Sequence, residues 1–177
     1  MRSSLIWLSS TALERIAADA QRFDPLETGG ILIGYRVSEA EAVITRITSA
    51  GPLAVHQRRR FLPDSAHDER EIARIYGETS GRETYLGDWH THPGQRLAVM
   101  SGRDHATLKT IAGARDARAP YALTLIAAGE SSCWSPSVWS GNLVPCLRFW
   151  TQLVVSRCKL QVFDGRAAPE RELLVDS

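Results

Sequence analysis

The sequence of 177 residues contains only three cysteines, Cys133, Cys146 and Cys158. Their number is odd and no two of them have C-x-x-C spacing, so neither a disulfide framework nor a cysteine zinc site is supported. We expect each of them to be a small buried hydrophobic residue. This cysteine usage also favours a reducing compartment, and we expect the protein to be cytoplasmic.

Long apolar runs and an excess of charge of one sign are absent as well. No stretch approaches the ~20 apolar residues of a membrane-spanning helix, and the apolar part of the N-terminus is too short for a signal peptide. The 21 basic side chains nearly balance the 20 acidic ones, whereas proteins that bind nucleic acid through its phosphates usually carry a basic excess. We therefore expect partners other than membranes and nucleic acids.

The composition that is present is typical of a folded globular protein. Hydrophobic residues make up 44% and charged residues 23% of the chain, which are ordinary proportions for a globular domain. The length suits one domain, with room for a short tail. We place the domain at residues 1–164 and expect residues 165–177 to form a flexible C-terminal tail.

Hydrophobic periodicity predicts an alternation of helices and strands. Helices are predicted over residues 11–22, where Thr11 and Glu14 have capping-box spacing, over 65–78 and over 101–113. The second helix should turn Ile72, Ile75 and Tyr76 inward. Strands are predicted over residues 30–35, 42–48, 83–90 and 121–128, with more strands within 134–163. This pattern indicates an α+β domain with a mixed, mostly antiparallel sheet flanked by helices.

Two histidines lie at the end of the predicted strand over 83–90. Alternate residues of a strand point to the same side, so His90 and His92 present two imidazoles together while Thr91 points away. Asp104, in the first turn of the third predicted helix, is the best candidate for a third metal ligand. Two histidines and one aspartate leave one tetrahedral position open for water, the pattern of a catalytic zinc site. Mn, Fe and Co accept the same ligand types.

Each half of this pattern has an ordinary explanation when it is taken alone. A H-x-H pair is usually two unrelated surface or core histidines, and Ser101-x-x-Asp104 is more often a simple helix cap. The two occur within 15 residues of each other, on a strand, a loop and a helix. Their combination favours a metal site.

Three motifs together carry a family resemblance: Glu27-Thr-Gly-Gly-Ile-Leu-Ile-Gly34, His90-Thr-His92-Pro93 and Ser101-x-x-Asp104. They resemble the JAMM/MPN family of zinc metallopeptidases, of the JAB type, and above all its small prokaryotic members. The resemblance covers roughly residues 13–139 and implies the MPN/JAB fold with its cytidine-deaminase-like core. Eight residues separate His92 from Ser101, where the family usually has seven. The additional residue falls in a loop, where insertions cost little.

The resemblance implies a role for each signature residue. His90, His92 and Asp104 would hold one zinc ion, Glu27 would act as the general base on the attacking water, and Ser101 would donate its hydroxyl to the oxyanion. His105, beside Asp104, is a substitute ligand.

Residues beside the signature positions have expected supporting roles. Asp88 and Thr91 either orient the histidines or are ordinary polar strand residues. Gly29 and Gly30 would let the backbone pass close to the site.

The implied reaction is hydrolysis of the amide bond after the C-terminus of a ubiquitin-like modifier, in deconjugation or in precursor processing. The partner would be a ubiquitin-like or other modifier protein with an extended C-terminal tail, a shape that can bind by strand addition to a sheet edge. Some prokaryotic relatives belong to antiphage operons that also encode conjugating enzymes. The oligomeric state is left open.

Two other functions compete with this one. A non-catalytic MPN scaffold would have the same fold, but such proteins lose metal ligands that are all present here. A different enzyme with two histidines and one carboxylate is the other alternative. Non-haem iron oxygenases usually take the second histidine from far downstream, and no histidine follows His105. Cupins need a glutamate within residues 94–97, where the sequence has none, and zinc deaminases need H-x-E with P-C-x-x-C, of which P-C-x-x-C is absent.

Other conspicuous residues are given ordinary roles. Arg58-Arg59-Arg60 is expected to be a solvated run, although it can also contact an acidic partner. Trp134 and Trp139 are expected in the core rather than in a substrate groove. His56 and His67 show no metal-ligand spacing with the main cluster.

Overall fold

The structure is a computed structural model that describes residues 4–114, 119–147 and 150–164. The predicted tail and its boundary after residue 164 lie at and beyond the end of the described residues and stay a prediction. The described elements are, in chain order, β1 (Leu5–Ser9), α1 (Ser10–Phe23), β2 (Gly29–Ser38), β3 (Glu41–Ile47), β4 (Val55–Gln57), β5 (Arg60–Leu62), α2 (Ser65–Glu78), β6 (Thr84–Pro93), α3 (Gly102–Gly113), β7 (Ala122–Glu130), β8 (Cys133–Leu147), β9 (Trp150–Arg157) and β10 (Lys159–Phe163). None of these helices combines the length and the apolar character needed to cross a bilayer.

Among the described residues, eight strands form one mixed sheet in the order β10-β1-β3-β2-β6-β7-β8-β9, and β4 pairs with β5 in a separate hairpin. Within the large sheet, β1 runs parallel to β10 and β3, and β6 runs parallel to β7. The other four neighbouring pairs are antiparallel. The predicted α+β fold with a mixed, mostly antiparallel sheet is confirmed. Strand β6 is central, because it pairs with β2 on one side and β7 on the other.

Helix α1 covers one face of the sheet. Its buried residues Ala12 and Ile16 pack with Leu32, Trp89 and Leu125 in the largest hydrophobic cluster. The prediction that Thr11 caps this helix was wrong. The cap is Ser9, whose hydroxyl oxygen accepts the N–H of Ala12 at 3.1 Å while the hydroxyl donates to the carbonyl of Thr45 at 2.7 Å.

Helices α2 and α3 cover the opposite face. On α2, Ile75 is buried against Ile31 and Ile33, as predicted. Tyr76, predicted inward, is 49% exposed, because its ring lies over the turn at Gly81 instead of under the helix. On α3, Leu108 belongs to a third cluster, which also contains Ala119, Ala122, Tyr85, Met100, Ile111 and Val155.

The cysteines differ from the prediction in two of three cases. Cys158 is buried, but Cys133 and Cys146 are exposed. Cys133 opens the 15-residue strand β8 next to a turn, and Cys146 lies near the far end of the same strand. Trp134, close to Cys133, is partly buried against the main cluster and agrees with its predicted place in the core.

Candidate metal centre

The two histidines come from the carboxyl end of β6. Strand β6 continues to Pro93, three residues beyond its predicted end, so both imidazoles project from regular strand backbone. Their Nε2 atoms lie 3.1 Å apart, and His92 is only 5% exposed. Trp89 and Thr91 point to the other face, where Trp89 is part of the main core. The predicted alternation of side chains along this strand is therefore confirmed.

Asp104 enters the same site from the first turn of α3. The helix begins with a capping box: the hydroxyl of Ser101 accepts the N–H of Asp104 at 3.3 Å, and Asp104 Oδ2 accepts the N–H of Ser101 at 2.6 Å. Asp104 Oδ1 lies 3.2 Å from His90 Nε2. The helix cap and the contact with the histidine are made by different oxygens of one carboxylate. A capping role for Asp104 and a metal-binding role are thus compatible.

The three side chains have the geometry and chemistry of a zinc ligand set. His90, His92 and Asp104 each offer one ligand atom, and these atoms all lie within 4.8 Å of one another. The shorter contacts measure 3.1 Å between the imidazoles, and 3.2 and 3.6 Å from the carboxylate to His90 and His92. Tetrahedral zinc with bonds of about 2.0–2.1 Å places its ligand atoms about 3.3 Å apart. The residues therefore fit a metal ion of this size.

The pKa shifts of two of these side chains, His92 and Asp104, favour the forms that bind a cation. Burial and then the neighbouring charge of His90 lower the pKa of His92, which keeps its ring neutral with a free lone pair. Burial opposes ionisation of Asp104, but the hydrogen bond and charge of His90 and the hydrogen bonds of Ser101 outweigh it and hold the pKa of this carboxyl well below its usual range. A neutral imidazole and an ionised carboxylate are the forms that bind metals.

Glu27 lies two residues before the start of β2, at the end of that strand beside the histidines. The register pairs Gly29 with His90, which places Glu27 two residues outside the paired region. Burial raises the pKa of Glu27, the charge of Asp104 adds to this rise, and the charges of His90 and Arg103 oppose it. A carboxylate with a raised pKa is a better proton acceptor near neutral pH.

A buried pair of threonines joins the strand of Glu27 to the strand of the histidines. The hydroxyl of Thr91 accepts the N–H of Thr28 at 2.9 Å, and the N–H of Thr91 donates to the carbonyl of Thr28 at 2.8 Å. Thr91 thus fixes the residue next to Glu27 rather than orienting a histidine. Asp88 accepts a hydrogen bond of 2.7 Å from the hydroxyl of Tyr85.

Of the remaining predicted site features, the close backbone approach at a glycine is present, but the substitute ligand lies outside the cluster. A Cβ on Gly29 would lie 2.3 Å from the carbonyl oxygen of Trp89, so the predicted close approach of the backbone at this glycine is present. His105 is exposed on α3 and lies outside the ligand cluster. Ser101 is exposed beside the cluster and Arg58 is exposed at the hairpin tip.

Sequence reasoning missed the hairpin of β4 and β5, which adjoins Glu27. The N–H of Glu27 donates to the carbonyl of Gln57 at 2.8 Å, and the backbone N–H of Phe61 donates to the carboxylate of Glu27. Both strands are only three residues long and neither alternates between hydrophobic and polar residues, so the sequence contains no clear signal for a hairpin or for its contact with Glu27.

Comparison with known proteins agrees with this architecture. Residues 9–151 match the model of a family described as prokaryotic homologs of the JAB domain. The chain belongs to this family. It is 37% identical over 139 residues to a probable metalloprotease, y4qB, from Sinorhizobium fredii, a match that covers 78% of this chain and 85% of that protein.

Other relatives of this JAB-family chain are named CD-NTase/cGAS isopeptidase. The protein from Enterobacter hormaechei is 28% identical over 126 residues, which are 71% of this chain and 68% of that protein. The protein from Escherichia coli is 36% identical over 67 residues, 38% of this chain and 42% of that protein. The solution structure of protein DSY2949 from Desulfitobacterium hafniense has the same fold, with a TM-score of 0.64 at 18% identity, covering 90% of this chain and 93% of that one.

Three findings support a metal-dependent peptidase of the JAB type. They are the family match, the relatives named metalloprotease and isopeptidase, and the cluster of His90, His92 and Asp104.

Proposed function

We propose that this JAB-family protein is a zinc-dependent isopeptidase or peptidase that hydrolyses the amide bond after the C-terminus of a ubiquitin-like modifier. The observation that carries the proposal is the convergence of His90, His92 and Asp104 at the end of β6, with Glu27 close enough for the charges of His90 and Asp104 to shift its pKa. One zinc ion per chain would bind at these three side chains.

Glu27 has the properties of the general base in such a hydrolysis. When bound, zinc lowers the pKa of water to about 7 and polarises a carbonyl group. Glu27 accepts the proton of the attacking water and then transfers it to the leaving amine. The raised pKa of Glu27, caused chiefly by burial, supports both the acceptance and the later release of that proton.

Ser101 is the proposed donor to the oxyanion. Its hydroxyl oxygen accepts the N–H of Asp104 in the helix cap, and its hydroxyl hydrogen is shared with the carboxylate of Asp104, so the hydroxyl would rotate from that carboxylate to the oxyanion. A hydrogen bond from this group to the developing oxyanion is worth about 2–4 kcal/mol. The cap therefore places the hydroxyl of Ser101 beside Asp104, and the oxyanion would compete with this carboxylate for its hydrogen.

A modifier protein is the proposed substrate because several relatives are named isopeptidases. An extended C-terminal tail can reach a site at a strand end and be held by pairing with an exposed strand edge. The same names support the proposal that the gene for this protein belongs to an antiphage or conjugation operon.

Cleavage of a fusion between a ubiquitin-like modifier and a carrier protein tests this function. Zinc-loaded protein should cleave directly after the modifier, chelation should abolish cleavage, and added zinc should restore it. Glu27→Gln should keep one zinc ion per chain and lose cleavage by a factor of at least about 100. If the zinc-loaded wild type cleaves no fusion in a panel of ubiquitin-like modifiers, or if Glu27→Gln cleaves as fast as wild type, the proposed function is wrong.

A further inference from the structure

We propose that His56 is a positioning residue for Glu27. The hairpin of β4 and β5, in which His56 lies, holds Glu27 by its backbone and by its carboxylate. The catalytic consequence of this arrangement rests on the proposed function, in which Glu27 moves the proton. His56 itself does not touch the metal-ligand cluster and has no role in the motifs of the family resemblance.

Residues of β4 contact both backbone polar groups of Glu27, its carbonyl and its N–H. His56 Nδ1 lies 3.0 Å from the carbonyl oxygen of Glu27, and the N–H of Glu27 donates to the carbonyl of Gln57 at 2.8 Å. A carbonyl oxygen can only accept, so the ring proton of His56 is on Nδ1. His56 therefore serves as a neutral or cationic donor whose role depends on that one N–H.

The imidazole of His56 contacts two aromatic rings. It stacks on Phe23 with a centroid distance of 3.9 Å and an interplanar angle of 12°, and it lies 5.5 Å from the ring of Phe61. Phe23 ends α1, and Phe61 belongs to β5. The ring contacts of His56 therefore link the hairpin to the end of α1, just before the segment that contains Glu27. This packing fixes the direction in which Nδ1 points.

The carboxylate of Glu27 is held by the same hairpin. The backbone N–H of Phe61, which pairs with His56 across the two strands, donates to the carboxylate. At the hairpin tip, Arg103 Nη1 donates to the carbonyl of Arg59 at 2.9 Å. Arg103 precedes Asp104, so the hairpin spans the distance between the general base and the helix that carries a metal ligand.

This geometry makes the proton-transfer rate sensitive to His56. A misplacement of a catalytic group by about 1 Å can reduce the rate about 100-fold. If His56 acts through Glu27, its loss lowers kcat and leaves both the metal-ligand cluster and the KM for the modifier fusion nearly unchanged.

Three substitutions of His56 separate the contribution of its Nδ1 hydrogen-bond donor from that of its aromatic ring. His56→Phe keeps an aromatic ring for the stack and removes the donor, His56→Leu removes both, and His56→Asn supplies a side-chain N–H near the position of Nδ1. We expect kcat to fall about 10- to 100-fold in His56→Phe and His56→Leu. We expect His56→Asn to recover to within about threefold of wild type. Val55→Ala, at the exposed neighbouring residue of β4, is the control and should have wild-type kcat.

Zinc content, KM and coupling to Glu27 distinguish positioning from general destabilisation. All four variants should bind one zinc ion per chain, with KM within about twofold of wild type. In the Glu27→Gln background, His56→Phe should cause no further loss, because the group through which it acts is already gone. Equal losses in both backgrounds, a kcat for His56→Phe and His56→Leu within about twofold of wild type, or an equal loss in Val55→Ala would overturn the proposal.

Amide hydrogen exchange provides a readout that does not require activity. The N–H groups of Glu27 and Phe61 are hydrogen-bonded in this arrangement, and their exchange should accelerate at least about tenfold in His56→Phe and His56→Leu but not in Val55→Ala. Unchanged exchange would refute the positioning role. Faster exchange in a protein whose wild type cleaves no modifier fusion would support the positioning of Glu27 and refute the proposed substrate class.

Discussion

The carboxylate of Asp104 both caps a helix and contacts a histidine of the candidate metal centre. Oδ2 completes the capping box of α3, and Oδ1 faces His90. A carboxylate at this position is favoured near the N-terminus of a helix, where the backbone N–H groups are unpaired. The same helix end that stabilises the negative charge also directs it toward the imidazoles.

Replacement of Asp104 by asparagine separates these two roles. The amide would keep an oxygen for the N–H of Ser101 but lose the negative charge, so we expect Asp104→Asn to weaken zinc binding more than about 100-fold while the metal-free protein keeps a similar Tm. Zinc titration and thermal unfolding of the metal-free protein measure the two effects. Unchanged zinc affinity would exclude Asp104 from the ligand set.

Asp68 gives the fold a dependence on pH. It is 8% exposed on α2, and burial, with the charge of Asp88 next in importance, raises its pKa from 3.8 to about 6. The folded state therefore binds more protons than the unfolded state between about pH 4 and pH 6. Stability contributed by this group falls as the pH rises through that window, by on the order of 1–3 kcal/mol.

Asp68→Asn should remove this dependence. The amide carries no charge, so the variant should be more stable than wild type at about pH 7.5 and close to it at about pH 4. Urea unfolding at several pH values across that range checks this. A wild type that becomes more stable as the pH rises, with the same slope in Asp68→Asn, would show that Asp68 is not the group responsible.

At the scale of elements, the join between β2 and β6 decides the relation of Glu27 to the histidines. These strands come from distant parts of the chain, and their ends are held together by the hydrogen bonds between Thr28 and Thr91. Both residues are buried. A glutamate before one strand and two histidines at the end of the other can share a site only while this join persists.

Thr91→Val tests the join with little change in shape. Valine removes the hydroxyl that accepts the buried N–H of Thr28, and an unsatisfied buried group of this kind costs about 1–3 kcal/mol. Thr91→Ser keeps the hydroxyl and should lose less stability. The free energy of unfolding in urea measures both. Equal losses in the two variants would attribute the effect to the methyl group instead of the hydrogen bond.

At the scale of the whole molecule, local sequence patterns predicted the helices and strands. The long-range contacts between them became known only from the structure. The alternation along β6 is a local property, so it predicted that His90 and His92 face one side. The start of α1 was harder to predict from sequence, since Ser9, Ser10 and Thr11 all suit a cap. The hydrogen bond from Ser9 to Thr45, 36 residues away, selects Ser9.

The role of the β4–β5 hairpin could not be predicted from the sequence, because it also depends on long-range contacts. His56 has no metal-ligand spacing, and its importance comes from contacts with Phe23 and Glu27, which precede it by about 30 residues. Folding creates these contacts by packing three segments together. A residue that acts through tertiary contacts leaves no periodic signal in its own neighbourhood.

Anomalous diffraction at the zinc edge, from crystals of the zinc-loaded protein, tests the metal centre most directly. We predict one strong peak per chain, bonded to the Nε2 atoms of His90 and His92 and to Oδ1 of Asp104. Full zinc occupancy at another group of side chains, with no peak between the two imidazoles and the carboxylate, would contradict the account.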